Sequence, residues 1–188
     1  MSMNSPKKIL DNGKLDNQVY LQVIEISDLE KIYKWKNDFE LSNLIMSHPL
    51  PFSTHQIHGW FDRNQDDRNQ ALFGIYLLEH HQIVGIVRLM FIDWISSNAE
   101  LGIYIGDAEM RNKGIGKKAI QLILKYAFKQ LNLSRIYLRV LESNNSTVRL
   151  YQGLGFIPEG TLRQHYWVNG KYENVLIFGI LRSEYLND

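Results

Sequence analysis

Two glycines among basic residues, in the segment MRNKGIGKK at residues 110–118, have the types and spacing of an anion site. The pattern predicts that a strand ends before Gly114 and that a helix begins beyond it, so the N–H groups of about residues 113–117 lack helical partners. Such amides at the positive end of a helix bind phosphate, and glycine lets a ligand approach the backbone closely. The segment is therefore a candidate cradle for a pyrophosphate. Four basic side chains add positive charge, those of Arg111, Lys113, Lys117 and Lys118.

The same residues also fit a simpler interpretation, in which the glycines serve only the turn and the lysines form a solvated helix face. The sequence contains neither G-x-x-x-x-G-K-S/T nor G-x-G-x-x-G, the two familiar phosphate-binding fingerprints. Their absence disfavours the P-loop nucleotide hydrolases and the dinucleotide-dependent dehydrogenases.

A second group of residues suited to chemistry lies downstream, in VLESNNSTVRLYQGLGF at residues 140–156. The first segment, extended to residues 100–128, resembles the acyl-CoA-binding motif of the GNAT superfamily of N-acetyltransferases. The pattern of that motif, R/Q-x-x-G-x-G/A, matches the six residues from Arg111. The downstream segment resembles the second signature of the superfamily, in which an Asn precedes a Tyr by seven residues and a Gly-Phe pair follows. Asn144 and Tyr151 occupy those positions here.

The strands and helices that position these residues follow from hydrophobic periodicity. A first helix is expected to open with Ser27 and Glu30 at capping-box spacing, and a second to be capped by Ser53 or Thr54. A short helix contains Tyr151. A longer helix follows the glycines, and its expected apolar face consists of Ile115, Ala119, Leu122, Ile123, Ala127 and Phe128. Strands are expected at residues 19–26, 71–79, 82–94, 98–107 and 135–142, and in a final hairpin turned at Asn169 and Gly170.

The order of these elements is β-α-α-β-β-β-α-β-α-β-β, which indicates the α+β class with one β-α-β crossover. The resemblance implies the acyl-CoA N-acetyltransferase (GNAT-like) fold, a mixed twisted sheet of about seven strands flanked by about four helices. This sheet is expected to splay between the strands at 99–106 and 135–142. The length and the 45% hydrophobic content suit a single domain, expected at residues 18–188 after a flexible N-terminal segment at 1–17.

Composition restricts the partners and the chemistry. Lysine and arginine together number 21 against 20 aspartates and glutamates, which gives no reason to expect binding to nucleic acid. The chain has no cysteine, so disulfides, thiolate metal sites and an acyl-cysteine intermediate are excluded. The N-terminal sequence lacks the apolar block of a signal peptide, and no apolar run approaches the roughly 20 residues of a membrane span. A cytoplasmic protein without a membrane partner is therefore expected.

The resemblance implies acetyl-CoA as the cofactor and requires no metal. The pantetheine arm is expected in the gap of the sheet, against the main chain of Ile103, Tyr104 and Ile105. A main-chain N–H at the same place is expected to donate to the acetyl carbonyl and so to form an oxyanion site. The other residues expected to bind the cofactor are Arg111, Asn112, Lys113, Gly114, Ile115, Gly116, Lys117 and Asn144.

Acetyl transfer requires a neutral amine, which is about one molecule in a thousand at pH 7 for an ordinary alkylamine. A base is therefore expected, with Glu100 as the first candidate and Asp93 as the second. Glu100 fits equally well a cross-strand ion pair or a contact that holds the substrate ammonium. Tyr151 is expected from the resemblance to protonate the departing thiolate, although an aromatic residue at this position also fits the core. Without a cysteine, direct attack in a ternary complex is the expected course.

The acceptor is expected to bind between the first two helices, the loop at residues 91–97 and the final hairpin, because the cofactor occupies the other half of the cleft. The element YKWKNDFEL resembles the branch of the superfamily that includes ribosomal-protein, spermidine and nucleotide-linked amino-sugar acetyltransferases. The candidate substrate-binding residues are Trp35, Asn37, Asp38, Asp93, Trp94 and Tyr166.

The acceptor amine stays open between a polyamine and an amino sugar or nucleotide-linked amino sugar. Acidic residues in the first half of the chain slightly favour a cationic amine, whereas Arg63, Arg68 and Arg88 suit a nucleotide-sugar phosphate. A protein N-terminus ranks behind both. A non-catalytic acyl-CoA-binding regulatory module is a separate alternative, against which the intact catalytic residues argue. The resemblance is compatible with a homodimer, although no residue argues for one.

Overall fold

The computed structural model describes residues 19–47 and 50–186, and within these ranges the chain forms one seven-stranded sheet with helices on both faces. The flexible segment expected at residues 1–17 lies outside the described residues. The strands are β1 Val19–Gln22, β2 Ala71–Leu77, β3 Ile83–Asp93, β4 Asn98–Ile105, β5 Arg135–Leu141, β6 Ile157–Val168 and β7 Lys171–Leu181. The helices are α1 Leu29–Lys36, α2 Phe39–Leu44, α3 Thr54–Asp66, α4 Ile115–Lys129, α5 Asn145–Gln152 and α6 Arg182–Leu186.

The sheet has the strand order β1-β2-β3-β4-β5-β7-β6. Every neighbouring pair is antiparallel except β4 and β5, which are parallel because α4 connects them as a crossover. This is the α+β arrangement that the element order predicts. None of the described helices is long and apolar enough to cross a membrane.

The sheet opens between its two central strands. The parallel pairing of β4 with β5 begins at Asn98 opposite Arg135 and stops at Glu100 opposite Tyr137. The rest of β4, residues 101–105, pairs with β3 on one side and has no strand on the side of β5. The expected splay is therefore present, and it leaves a main-chain edge of β4 lining a gap.

Helix α4 anchors the sheet on one face. All six apolar residues expected along one side of this helix are buried, as are two further ones, Ile120 and Leu124. They pack with β2, β3, β4 and β5 in the largest hydrophobic cluster of the described chain. The six expected residues are Ile115, Ala119, Leu122, Ile123, Ala127 and Phe128.

Helices α1 and α3 cover the opposite face of the sheet. Their buried residues Leu29, Ile32 and Ile57 pack with Ile83 and Ile86 of β3 in a second cluster. Side chains alternate between the two faces along a strand. Consequently, Leu101, Ile103 and Ile105 of β4 contact the α4 side, while Tyr104 packs on the α1 side.

The start of the first helix differs from the prediction. Strand β1 ends at Gln22, and a 3-10 turn at Ile26–Asp28 precedes α1. The capping box is formed by Glu25 and Asp28 instead of Ser27 and Glu30, and the N–H of Glu25 donates to Asp28 at 2.9 Å. The capping box differs from the predicted one because a 3-10 turn occupies the first positions of the expected helix. Hydrophobic periodicity does not reveal such a turn.

The other capping and turn predictions are confirmed. Ser53 caps α3 in a capping box with Gln56, and the final hairpin turns at Asn169 and Gly170, both with positive φ. Two helices were not predicted. Asp38 caps the six-residue α2, and the five-residue α6 follows β7. Both are too short for a helical period to be read.

Candidate active site

The glycine loop before α4 is built as an open cradle. Gly114 has φ +78° and is the N-cap of the helix, a backbone conformation that favours glycine. A Cβ added at Gly114 or at Gly116 would meet no atom within 4 Å. The first helical hydrogen bond runs from Lys118 to the carbonyl of Gly114, so the three preceding N–H groups have no backbone acceptor in the described part of the chain. The loop thus presents unpaired donors to free space.

The side chains around the loop divide into two groups. Lys113 and Lys117 are exposed and add charge beside the cradle, whereas the side chain of Ile115 is buried and leaves only its main chain available. Arg111 turns back onto the end of β4, donating to the carbonyls of Ile105 at 3.0 Å and Gly106 at 3.2 Å. Arg111 therefore shapes the strand end, a role its place in the motif does not reveal. Asn112 is exposed and has φ +60°.

Tyr151 lies on α5, which Asn144 begins. The side-chain oxygen of Asn144 accepts the N–H of Thr147 at 3.3 Å and so caps the helix. The Tyr151 ring packs edge-on against Phe156, with centroids 5.6 Å apart, in the core cluster that contains Leu101 of β4. Its burial raises the pKa of the phenol well above the ordinary value, so the hydroxyl keeps its proton at neutral pH.

The Tyr151 hydroxyl is also available to a ligand. The hydroxyl makes no hydrogen bond with any described residue. It is also not one of the unbonded side-chain atoms that are completely enclosed by the protein. The oxygen therefore reaches solvent although the residue is 5% exposed. A protonated, accessible hydroxyl at the edge of a core is suited to donate to an atom in the gap.

Glu100 forms a buried ion pair across the gap. Its two oxygens accept hydrogen bonds from Arg139 of β5, one from Nε at 2.8 Å and one from Nη2 at 3.1 Å. Glu100 is 6% exposed and stands at the last position of β4 that pairs with β5. The ion pair that the sequence left open as an alternative is thus present. The general-base role of Glu100 stays a prediction, and a base here has to work beside a bound guanidinium.

Asp93 organises the turn between β3 and β4. Its Oδ1 accepts the N–H groups of Ser96 at 2.8 Å and Ile95 at 2.9 Å. The bonds from Ser96, and then that from Ile95, hold the pKa of Asp93 below its usual range. A carboxylate stabilised in this way is a weaker proton acceptor. The adjacent Trp94 is half exposed on the same turn.

The polar residues of the W-x-N-D element hold backbone instead of facing free space. Asn37 accepts the N–H of Phe52 at 2.9 Å and donates to the carbonyls of Tyr33 and Phe52. Asp38 caps α2 by accepting the N–H of Leu41 at 3.0 Å. These bonds join α1, α2 and the loop before α3, and the expected binding of substrate by the two side chains stays a prediction.

Trp35 and Tyr166 pack at opposite ends of the acceptor face. The Trp35 ring lies over Gly106, where an added Cβ would be 2.1 Å from it, and meets the Tyr104 ring edge-on with centroids 6.1 Å apart. Tyr166 packs with Met46 against a small cluster on the β6–β7 hairpin. Both are partly buried, and neither side chain makes a hydrogen bond to another residue within 19–47 and 50–186.

Two cationic residues on this face are not among the predicted site residues. Lys36 was not named as a candidate, and Arg88 was named only as an arginine that suits a substrate phosphate. Lys36 ends α1 with its Nζ 4.6 Å from the ring centroid of Trp60 and 4.9 Å from that of Phe52. Arg88 of β3 stands opposite Gly102 of β4. A sequence signal existed for Arg88, since it interrupts an otherwise apolar run at residues 83–92.

Comparison with known proteins assigns the family. A family model described as the acetyltransferase (GNAT) domain matches residues 18–157. Spermidine N(1)-acetyltransferase of Vibrio cholerae serotype O1 is 31% identical over 173 residues, which are 92% of this chain and 98% of the relative. A solved structure of spermidine N-acetyltransferase from Vibrio cholerae, in complex with CoA and spermine, matches with a TM-score of 0.85 at 31% identity and covers 90% of this chain and 99% of that one.

A further structure of spermidine N-acetyltransferase from Vibrio cholerae is dodecameric and matches with a TM-score of 0.79 at 33% identity, covering 90% of this chain and 97% of that one. These matches confirm the GNAT-like α+β fold and the N-acetyltransferase activity that the two motifs predict. The family match spans the glycine cradle, the splayed strands and Tyr151. The chain belongs to the GNAT family of acetyltransferases.

Proposed function

We propose that this enzyme transfers the acetyl group of acetyl-CoA to the primary amine of a small molecule by direct attack in a ternary complex. One observation carries the proposal. The pairing of β4 with β5 stops at Glu100, and the unpaired edge of β4 leads from there toward the open N-terminus of α4. An extended chain of amides that ends in a diphosphate fits this combination of strand edge and helix terminus.

The main chain of Ile103, Tyr104 and Ile105 would hold the pantetheine arm, and the N–H groups of Ile115, Gly116 and Lys117 would bind the diphosphate. Lys113 and Lys117 are exposed beside the loop and lend it charge. The CoA bound in the related Vibrio cholerae structure supports this choice of cofactor. Arg111 contributes indirectly, by fixing the end of β4 where the arm and the diphosphate meet.

The reaction forms a C–N bond and breaks the C–S bond of the thioester. A neutral amine attacks the carbonyl carbon, and a main-chain N–H of β4 stabilises the oxyanion. The amine proton passes to a base, for which Glu100 stays our first candidate, directly or through water. The thiolate of coenzyme A then leaves and takes a proton from the Tyr151 hydroxyl, the proton donor that the motif implies.

Two classes of acceptor are supported, each by a different observation. The relatives from Vibrio cholerae and Escherichia coli are named spermidine N(1)-acetyltransferases, which favours a polyamine as the acceptor. The cationic side chains Lys36 and Arg88 on the acceptor face favour an amine that carries negative charge, as an amino-sugar phosphate does. Both classes are small molecules with a primary amine.

Free-thiol release from acetyl-CoA tests the proposal. The enzyme is incubated with acetyl-CoA and, separately, with polyamines, amino sugars, amino-sugar phosphates, amino acids and short peptides. We expect amine-dependent thiol release with at least one of the small molecules, together with an acetylated product of the corresponding mass. Release that no amine accelerates, despite binding of acetyl-CoA, would leave a non-catalytic acyl-CoA-binding module as the better account.

A further inference from the structure

Glu100 and Tyr151, the two residues expected to move protons, lie on opposite faces of the sheet. Tyr151 packs in the core cluster on the α4 side. Side chains alternate along β4, and Leu101 contacts the α4 side while Tyr104 packs on the α1 side, so the Glu100 carboxylate lies on the α1 side. A residue that holds Glu100 therefore acts on the attacking amine and not on the departing sulfur.

Arg139 reaches Glu100 from a backbone position that does not depend on the gap. It pairs with Ile177 of β7, on the side of β5 away from β4. Tyr137 stands opposite Glu100 in the parallel ladder, and Arg139 comes two residues later, on the same face of β5 and beyond the end of that ladder. The guanidinium thus reaches back from a strand that β7 anchors and holds a side chain on the separating strand β4.

Arg139 supplies both hydrogen bonds that the Glu100 carboxylate receives from residues 19–47 and 50–186, at 2.8 and 3.1 Å. The guanidinium of Arg88 on β3 and the phenol of Tyr137 on β5 also interact with the charge of Glu100, but neither group bonds it. Burial first, and then the charge of Glu100, raises the pKa of Tyr137, so this phenol stays neutral. The hold on the carboxylate is therefore specific to Arg139.

This bond keeps a buried carboxylate ready to accept a proton. A carboxylate that is buried without a donor takes up a proton, and a protonated carboxyl group cannot serve as the base. Glu100 is 6% exposed, so it depends on Arg139 for the negative charge that the reaction needs. An ionised carboxylate has about four acceptor sites and Arg139 uses two of them, which leaves room for a further donor from the amine or from water.

We propose that Arg139 is a positioning residue for acetyl transfer, which holds Glu100 ionised and oriented at the vertex of the gap. The inference rests on the proposed function and on Glu100 as its base. The guanidinium weakens this base, but the amine nitrogen becomes positively charged when it attacks the thioester carbon, and it then releases a proton more readily than a free ammonium does. One proton passes from nitrogen to a Glu100 oxygen, and the C–S bond breaks as the thiolate takes the Tyr151 proton. Exchange with water then restores both groups.

Turnover of Arg139 variants tests this role, with thiol release from acetyl-CoA measured against spermidine and against glucosamine 6-phosphate. We expect Arg139→Met to lower kcat about tenfold or more, and Arg139→Lys, which keeps the charge without the planar fork, to lose less. The affinity of both variants for acetyl-CoA in calorimetry should stay within about twofold of wild type. Arg135→Met is the matched control, because Arg135 lies on the same face of β5 and pairs with Glu159 instead. Its kcat should stay within about twofold of wild type.

The double variant with Glu100→Gln separates positioning from a structural effect. Glu100→Gln should lower kcat about 100-fold, and adding Arg139→Met should lower it by less than about threefold more, because the arginine then has no base to hold. A merely structural arginine adds its own loss in full, so multiplied losses in the double variant would overturn the proposal. An unchanged kcat in either single variant would overturn it as well and leave the acetyltransferase function standing. A wild-type enzyme that turns over no amine of the panel would instead contradict the proposed function, and the positioning role with it.

Discussion

Arg139 of β5 binds Glu100 of β4 through both carboxylate oxygens, at 2.8 and 3.1 Å, across the vertex at which these two parallel strands separate. Beyond this pair the strands diverge, so the ion pair stands at the narrow end of the cofactor gap. Arg139 is two residues past the last paired residue of β5, which means that the bond spans a place where the main chain no longer holds the strands together.

We expect the ion pair between Arg139 and Glu100 to contribute measurably to stability. Replacing Arg139 with methionine leaves the buried carboxylate of Glu100 without its partner, and we expect the free energy of unfolding in urea to fall by about 1–3 kcal/mol. The loss stays below that of a fully buried pair because the Arg139 side chain is 40% exposed. The double variant with Glu100→Gln should lose less than the sum of the single losses. Additive losses would show that the two residues do not interact in solution.

Tyr151→Phe tests the proton donor. Phenylalanine keeps the packing against Phe156 and removes only the hydroxyl, so we expect kcat to fall about tenfold or more with little change in the affinity for acetyl-CoA. Tyr185→Phe is the matched control. It also removes one phenol hydroxyl, but Tyr185 packs against Phe128 of α4 and takes no part in the proposed chemistry. Unchanged turnover in Tyr151→Phe would remove Tyr151 from the mechanism.

Gly116→Trp tests the cradle. No atom lies within 4 Å of a Cβ at this position, so the indole can be accommodated in the fold while it fills the path of the diphosphate. We expect calorimetric binding of acetyl-CoA to be lost and the circular dichroism spectrum to be retained. Gly160→Trp places the same side chain at another open glycine, on β6, and should bind acetyl-CoA normally. Wild-type affinity in Gly116→Trp would contradict the cradle.

Structural relationships between residues close in sequence were the ones that could be predicted. Gly114 and Gly116 lie within one turn, and Asn144 and Tyr151 belong to one short helix. Their spacing in the sequence therefore determines how they are placed relative to each other in space. The splay of β4 from β5 was also predictable, because the resemblance covers both strands. These features depend on local backbone geometry, which a motif records.

The remaining features depend on contacts between distant segments. Asn37 accepts the N–H of Phe52, which lies fifteen residues further along the chain, and its spacing in the W-x-N-D element does not reveal this contact. Helix α1 packs on β3 through Ile32 and Ile83, which lie far apart in the chain, and such a contact leaves no local pattern in the sequence. Arg111 matched its motif, yet its side chain folds onto β4.

Diffraction from crystals soaked with CoA tests the central claim most directly. Density for the pantetheine arm should fill the gap between β4 and β5, with the diphosphate on the N–H groups of Ile115, Gly116 and Lys117 and the sulfur beside the Tyr151 hydroxyl. A gap that stays empty at saturating CoA, or CoA bound elsewhere on the protein, would contradict the account.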